Sequence, residues 1–185
     1  LSLFDGIGGA RRALDLAGVA PAVFATSETC PAAARVTRYA WPGCVELGCV
    51  EGIDESAIAA LLAGGHSIRQ VLLVAGSPCV NVTSATAGLG GGLYGSQSVL
   101  FFHVPRLLAL FQSKYPWLLV DFIVENVASM TSEARDTISG ALGVQPLLID
   151  AAQCSWTRRR RYFWCSFGAE IRWPSPVLCK EGYVE

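Results

Sequence analysis

The sequence has few of the features that mark metal-binding or secreted proteins. It has only two histidines, and none of its seven cysteines belongs to a CxxC pair or has the Cys/His spacing typical of zinc sites. We therefore expect no metal site, and we expect the cysteines to be reduced. The first residues show no basic segment followed by an apolar run and a cleavage site, so nothing indicates secretion.

Charge and long apolar runs are scarce as well. Charged residues make up 16% of the chain and the formal net charge is −1 at pH 7, so no broad basic field is expected. The apolar stretch 99–111 is interrupted by His103, Pro105 and Arg106, which excludes a membrane span there. With 52% hydrophobic residues, the 185-residue chain is expected to form one domain with a large core.

Short apolar runs alternate with stretches of helical periodicity, which is typical of repeated βα units. The predicted strands are 1–4, 22–26, 44–49, 71–75, 118–124, 145–149 and 161–166. The predicted helices are 9–17, 31–39, 55–63, 98–111 and 132–142. We therefore predict an α/β fold with a mostly parallel sheet and helices on both faces. Residues 83–97, rich in Gly, Ser, Thr and Ala, are predicted to form a long loop.

The opening LSLFDGIGG predicts a strand that leads through glycines into a helix. Glycines let the backbone approach a ligand closely, and a helix N-terminus offers free N–H groups. Glu28 ends the next predicted strand about 20 residues later, where an acid can bind ribose hydroxyls. Together these features predict an adenosine-containing cofactor. The alternative is a simple tight turn, with Glu28 at the start of a helix.

A cysteine follows the fourth predicted strand, in the sequence GSPC at 76–79. Open α/β sheets bind ligands at the carboxyl ends of their strands, so Cys79 is a candidate nucleophile. Pro78 restricts the backbone beside the thiol, and the loop after it could close over a substrate. The alternative is a buried structural cysteine.

An acid and four arginines complete the set of candidates. Glu125 and Asn126 end an apolar strand, where a carboxylate is costly to bury unless it is paired or used. Glu125 is therefore a candidate for proton transfer, with a helix cap or an ion pair as the commoner alternative. Strand alternation would direct Arg159 and Arg161 to one face. The alternative for the run 158–161 is a solvated or phosphate-contacting basic patch.

In order, LFDGIGG, Glu28, GSPC, ENV and RRRRYFW resemble the motifs of cytosine-5 DNA methyltransferases, over about residues 1–168. GSPC and RYFW are most similar to eukaryotic de novo type catalytic domains. The resemblance implies the Rossmann-like fold of S-adenosylmethionine-dependent methyltransferases. It also implies methyl transfer from S-adenosylmethionine to carbon 5 of a cytosine flipped out of double-stranded DNA.

The resemblance implies a role for each motif residue. Cys79 would attack ring carbon 6, and Glu125 would hold or protonate the ring nitrogen. Arg161, with Arg159, would stabilise the base oxygen, and Asn126 would position the loop. The implied cofactor-binding residues are Phe4, Asp5, Gly6 and Gly9 near the methionine part, Glu28 on the ribose, Thr29 against the adenine, and Leu100 nearby.

Two departures from the family pattern stand out. The family usually has an aspartate after the third strand to bind the adenine amine, where this chain has Cys49 followed by Asp54. The family's target-recognition region and its last cofactor motif have no match before Glu185. We therefore expect residues 169–185 to begin a region that this sequence lacks, with a naturally split or degenerate enzyme as the alternative.

Two other functions share this fold, namely a catalytically inactive regulatory module and a tRNA cytosine-5 methyltransferase. Retention of Cys79, Glu125 and Arg161 together favours an enzyme, and GSPC and RYFW favour DNA as the substrate. A generic Rossmann oxidoreductase would explain only the glycines. The resemblance also implies homo- or hetero-oligomers with related methyltransferase subunits, and a nuclear location if the protein is eukaryotic or an intracellular one otherwise.

Overall fold

The computed structural model describes residues 1–64, 67–78, 92–95, 97–153 and 155–168. Every predicted strand and helix overlaps an element of the structure, with ends shifted by a few residues. The strands are β1 Ser2–Leu3, β2 Ala25–Ser27, β3 Val45–Glu46, β4 Gln70–Gly76, β5 Leu119–Val127, β6 Leu147–Asp150 and β7 Arg160–Cys165. The helices are α1 Gly9–Leu16, α2 Pro31–Ala40, α3 Glu55–Leu62, α4 His103–Lys114 and α5 Ser132–Leu142.

The strands form one seven-stranded sheet in the order β3-β2-β1-β4-β5-β7-β6. The first five strands are parallel, and β7 runs antiparallel between β5 and β6. Crossovers between parallel strands are right-handed as a rule, and the strand order reverses direction after β3, so helices are expected on both faces of the sheet. The mostly parallel sheet is as predicted. Insertion of the last strand between two earlier ones is a finding of the structure, because an apolar alternation does not specify a strand's neighbour.

The core lies against the central strands. Leu73, Val124 and Trp164 are fully buried on β4, β5 and β7. Each such side chain stabilises the fold by about 1.5–3 kcal/mol relative to an exposed one. The indole Nε1 of Trp164 donates a 2.9 Å hydrogen bond to the Ser139 hydroxyl on α5. This packing fixes the carboxyl ends of β4 and β5, where the candidate site lies. Within the residues that the structure covers, no helix is long and apolar enough to cross a bilayer.

Candidate active site

The carboxyl ends of β4 and β5 lie side by side. Their parallel register pairs Gly76 with Glu125, and a Cβ added to Gly76 would lie 3.5 Å from Glu125 Oε2. The prediction that the strand ends at 124 is wrong, because β5 continues through Val127. Antiparallel pairing with β7 extends it, since β7 supplies hydrogen-bonded partners for residues 125–127. Glu125 therefore lies within a strand and not on a loop.

Glu125 forms an ion pair with an arginine of the neighbouring strand. Arg161 lies opposite Val127, so its side chain shares the face of Glu125 two residues earlier. Its Nε lies 2.7 Å from Glu125 Oε1, and both side chains are partly buried. Its Nη1 donates a 2.8 Å hydrogen bond to the Arg160 carbonyl. A carboxylate and a guanidinium are thus held together near the carboxyl end of β5.

Arg159 lies elsewhere. Strand β7 begins at Arg160, so the alternation expected to align Arg159 with Arg161 does not include Arg159. Its backbone N–H donates to Asp150 Oδ1 at 3.0 Å, its carbonyl accepts from Ala151, and its side chain is exposed. Among the described residues, the structure pairs Arg161 and not Arg159 with Glu125. A catalytic role for Arg159 stays a prediction.

Asn126 holds the segment that leads into GSPC. Its Nδ2 donates to the carbonyl and the hydroxyl of Ser77 at 3.2 and 3.0 Å, and both residues are buried. Because Asn126 faces away from Glu125, it anchors the backbone without occupying the site. This contact agrees with the positioning role expected for Asn126. Cys79 lies outside the described residues, as does most of the predicted loop 83–97.

The turn after β1 brings three residues into left-handed backbone conformations. Phe4 has φ +55°, Gly6 +60° and Gly8 +88°, and such a conformation is unfavourable for a residue with a side chain. A Cβ added to Gly8 would lie 2.2 Å from Trp41 Cζ3, so Trp41 requires glycine there. A Cβ at Gly9 would meet nothing within 4 Å. The turn therefore leaves open surface at the start of α1.

Glu28 connects the ends of β1 and β2. Its Oε2 accepts a 2.8 Å hydrogen bond from the Gly6 N–H, and its Oε1 accepts from the N–H groups of Thr29 and Cys30 at 2.8 and 2.7 Å. Glu28 directly follows β2, which is the position predicted for a ribose-binding acid. It also binds N–H groups just before α2, which is the position of the alternative, an acid at the start of a helix. Thr29 beside it is exposed.

Asp5 places a partly buried carboxylate under the same turn. Thr37 Oγ1 donates to its Oδ2 at 3.3 Å, whereas Oδ1 is buried without a hydrogen-bond partner among the described residues. Burial raises the pKa of Asp5, and the hydroxyls of Ser2 and Thr37 act in the opposite direction. An unpartnered buried acceptor fits a ligand that brings a donor or a positive charge. Sequence reasoning missed Thr37, because a threonine within a helix carries no distinctive pattern.

The chain after β3 carries the two residues that depart from the family pattern. Cys49 is exposed, with its Sγ 3.4 Å from Glu51 Oε2. Asp54 Oδ1 accepts hydrogen bonds from Ala57 N at 2.9 Å and Ser56 Oγ at 2.7 Å, which lower the pKa of Asp54. Asp54 is therefore the N-cap of α3 and is already bound within the protein.

Leu100 lies in a 3-10 helix, Ser98–Phe102, that precedes α4, and it packs partly buried against the core. Burial raises the pKa of the Cys44 and Cys165 thiols, so both ionise less readily than an exposed cysteine. Within the described part of the chain, no group of three or more His, Cys, Asp or Glu side chains could hold a metal ion.

Comparison with known proteins identifies the family. The family model of C-5 cytosine-specific DNA methylases matches residues 1–142. The chain belongs to this family. Strands β1 to β5 lie within the matched region, whereas β7, which carries the arginine motif, lies beyond it. This is a methyltransferase family, as expected from the sequence.

Solved structures of two methyltransferases share the fold. One is described as a DNA modification methyltransferase encoded within an E. coli prophage, with a TM-score of 0.65 and 20% identity. Another is the S. pombe Dnmt2 methyltransferase, with a TM-score of 0.59 and 16% identity. These matches cover 89% and 92% of this chain but only 44% and 50% of those chains. The expected Rossmann-like methyltransferase fold is confirmed.

Proposed function

We propose that this protein transfers a methyl group from S-adenosylmethionine to carbon 5 of cytosine in double-stranded DNA, with Cys79 as the nucleophile. The observation that supports this most strongly is the Glu125–Arg161 ion pair beside Gly76. Cys79 follows Gly76 by three residues, which span at most about 11 Å. This short separation along the chain supports Cys79 as the nucleophile that acts beside a carboxylate and a guanidinium suited to a cytosine ring.

Residues at the ends of β1 and β2 fit the cofactor. A carboxylate has about four lone-pair sites, and backbone N–H groups bind Glu28 at three points. These bonds fix its orientation and leave capacity for a ribose hydroxyl. The unpartnered Oδ1 of Asp5 suits a donor on the methionine part, near Phe4, Gly6 and Gly9. When bound, S-adenosylmethionine supplies an electrophilic methyl group.

The chain's own residues would carry out the remaining chemistry. The Cys79 thiolate adds to carbon 6 of the ring, which makes carbon 5 nucleophilic. Negative charge that develops on the ring would be neutralised by a proton that Glu125 donates to the ring nitrogen and by the guanidinium of Arg161 at the base oxygen. After methylation, a water molecule would take the proton from carbon 5, the electron pair of that C–H bond would expel the Cys79 thiolate and restore the aromatic ring, and Glu125 would take back the proton from the ring nitrogen. Flipping of the base is required because carbons 5 and 6 are stacked within the duplex.

Duplex DNA is the substrate best supported. The family's name refers to DNA, and the exposed side chains of Arg158, Arg159 and Arg160 offer local positive charge in a chain of net charge −1. Contacts between arginines and phosphates position a protein on DNA without reading its sequence. These three arginines lie directly before Arg161, so phosphate contacts there would direct the backbone toward the site.

Methyl transfer from labelled S-adenosylmethionine tests this function, with unmethylated duplex DNA and tRNA as separate substrates. The complete protein is compared with Cys79→Ser and with the matched control Cys165→Ala, which removes a partly buried thiol outside the site. We expect label in DNA cytosine for the wild type and the control, and none for Cys79→Ser. Label only in tRNA would make this a tRNA methyltransferase. Cofactor binding without any transfer would indicate a regulatory module.

A further inference from the structure

Arg106 on α4 forms hydrogen bonds with the turn that follows β3. Its Nη1 donates to the Ile53 carbonyl at 2.8 Å and its Nη2 to the Val50 carbonyl at 3.1 Å. Its Nε donates to His103 Nδ1 at 3.1 Å. The two carbonyls belong to the 3-10 turn Val50–Gly52 and the residue that ends it. A planar guanidinium with donors in fixed directions holds both carbonyls in one relative position.

This turn adjoins the candidate ribose site. Ser27 directly precedes Glu28, and its hydroxyl donates a 2.7 Å hydrogen bond to the Gly48 carbonyl just before Cys49. Ligands of open α/β sheets lie across the carboxyl ends of adjacent strands. If the ribose of a cofactor binds Glu28 at the end of β2, its adenine would therefore extend toward the chain that follows β3.

The turn has a buried side that packs against the core and an exposed side that a ligand could contact. Val50 and Ile53 are 2% and 1% exposed, whereas Cys49, Glu51 and Gly52 are exposed. Among the described residues, Arg106, itself exposed, binds the carbonyls of the two buried residues and forms no hydrogen bond with the three exposed ones. Movement of the turn would displace the exposed residues while the reacting atoms near Glu125 stayed in place.

We propose that Arg106 is a positioning residue for the adenine end of the cofactor, acting through the turn Val50–Gly52. This role rests on the proposed function, because it assumes that S-adenosylmethionine binds at Glu28. Arg106 would contact no reacting atom. Its effect is confined to cofactor affinity, since β2, β1 and β4 separate β3, which the turn follows, from β5, which carries Glu125.

The test compares Arg106→Met and Arg106→Lys with Lys114→Met in the complete protein. Lys114 ends the same helix and forms a 2.9 Å ion pair with Glu55 on α3, so its loss weakens another anchor of α4 and spares the turn. Binding of S-adenosylmethionine and of adenosine is measured by calorimetry, and KM and kcat by methyl transfer. Adenosine isolates the end of the cofactor that the turn would contact.

We expect Arg106→Met to weaken both ligands by the same factor, about tenfold or more, and to raise KM for S-adenosylmethionine equally. The kcat at saturating cofactor should stay within about twofold of the wild type. Arg106→Lys should be intermediate, because an ammonium retains a donor for one carbonyl. Lys114→Met should change neither affinity.

Unchanged adenosine affinity in Arg106→Met, a fall in kcat without a change in KM, or an equal loss in Lys114→Met would each overturn the role. If Arg106→Met does not fold, the same measurements on Arg106→Lys decide the question. A wild-type protein that binds neither ligand would instead contradict the proposed function itself, together with this role.

Discussion

The Nε of Arg161 lies 2.7 Å from Oε1 of Glu125, with the two side chains 22% and 30% exposed. The pair exists because β7 is antiparallel to β5, which places Arg161 opposite Val127 and diagonal to Glu125. Each charge compensates the other in a partly desolvated place. Removal of either charged group would leave the other in this partly desolvated place without a partner of opposite charge.

Replacement of Arg161 by methionine is therefore expected to destabilise the protein as well as to abolish methyl transfer. The loss should be about 1–2 kcal/mol, less than for a fully buried pair because both groups retain some water. Urea unfolding measures it. Arg135→Met is the control, since Arg135 pairs with Asp136 at the surface and such pairs contribute about 0–1 kcal/mol. Equal stability of the two variants would contradict the compensating role of the pair.

Alanine substitutions at two adjacent glycines are expected to have opposite effects on stability. Gly8→Ala forces a Cβ against Trp41 at a backbone φ of +88° and should cost more than about 2 kcal/mol. Gly9→Ala adds a methyl group in open space at the start of α1 and should be neutral or stabilising by up to about 1 kcal/mol. Thermal unfolding distinguishes the two. A Gly8→Ala protein as stable as Gly9→Ala would show that the turn is not constrained by Trp41.

The partly buried Asp5 should reduce stability at neutral pH. Burial holds its folded-state pKa above the ordinary value, so the folded state binds more protons, and stability falls as the pH rises through the folded pKa. Asp5→Asn removes this titration. We expect a higher Tm at pH 7, by about 2–4 °C for each kcal/mol gained, and a smaller difference as the pH falls toward 4.

Scans of the apo protein and of Asp5→Asn between pH 4 and 7 provide the measurement. The same variant should bind S-adenosylmethionine more weakly. In the proposed complex, the unpartnered Oδ1 of Asp5 accepts a hydrogen bond or a positive charge from the cofactor, although it destabilises the free protein. A Tm difference that does not change with pH would mean that Asp5 is ionised as freely as an exposed carboxylate.

The sequence predicted the elements well because their apolar periodicity is local. The continuous apolar runs of β4 and β5 and the helical spacing of α5 depend only on neighbouring residues. The position of β7 between β5 and β6 could not be predicted in this way, since strand neighbours are chosen by long-range packing. The end of β5 was misplaced for the same reason, because pairing with β7 extends it to Val127.

The candidate site was predictable where a motif and a strand end coincide. Glu28 was placed by its spacing from the glycine turn, and the turn does bind it through Gly6. The face of Arg159 was not predictable, because alternation applies only from Arg160, where β7 begins. Arg106 gave no functional signal, since a charge in an apolar helix shows only that a membrane span is absent. Its partners are carbonyls more than 50 residues away.

Covalent capture of the nucleophile tests the central claim most directly. In a duplex with 5-fluorocytosine at the target, fluorine replaces the proton that must leave carbon 5, so an adduct formed with S-adenosylmethionine cannot eliminate. The account predicts a protein–DNA adduct that survives denaturation, maps to the peptide containing Cys79, and disappears in Cys79→Ser but not in Cys165→Ala. Absence of any adduct from a protein that binds both cofactor and duplex, or an adduct on another residue, would contradict it.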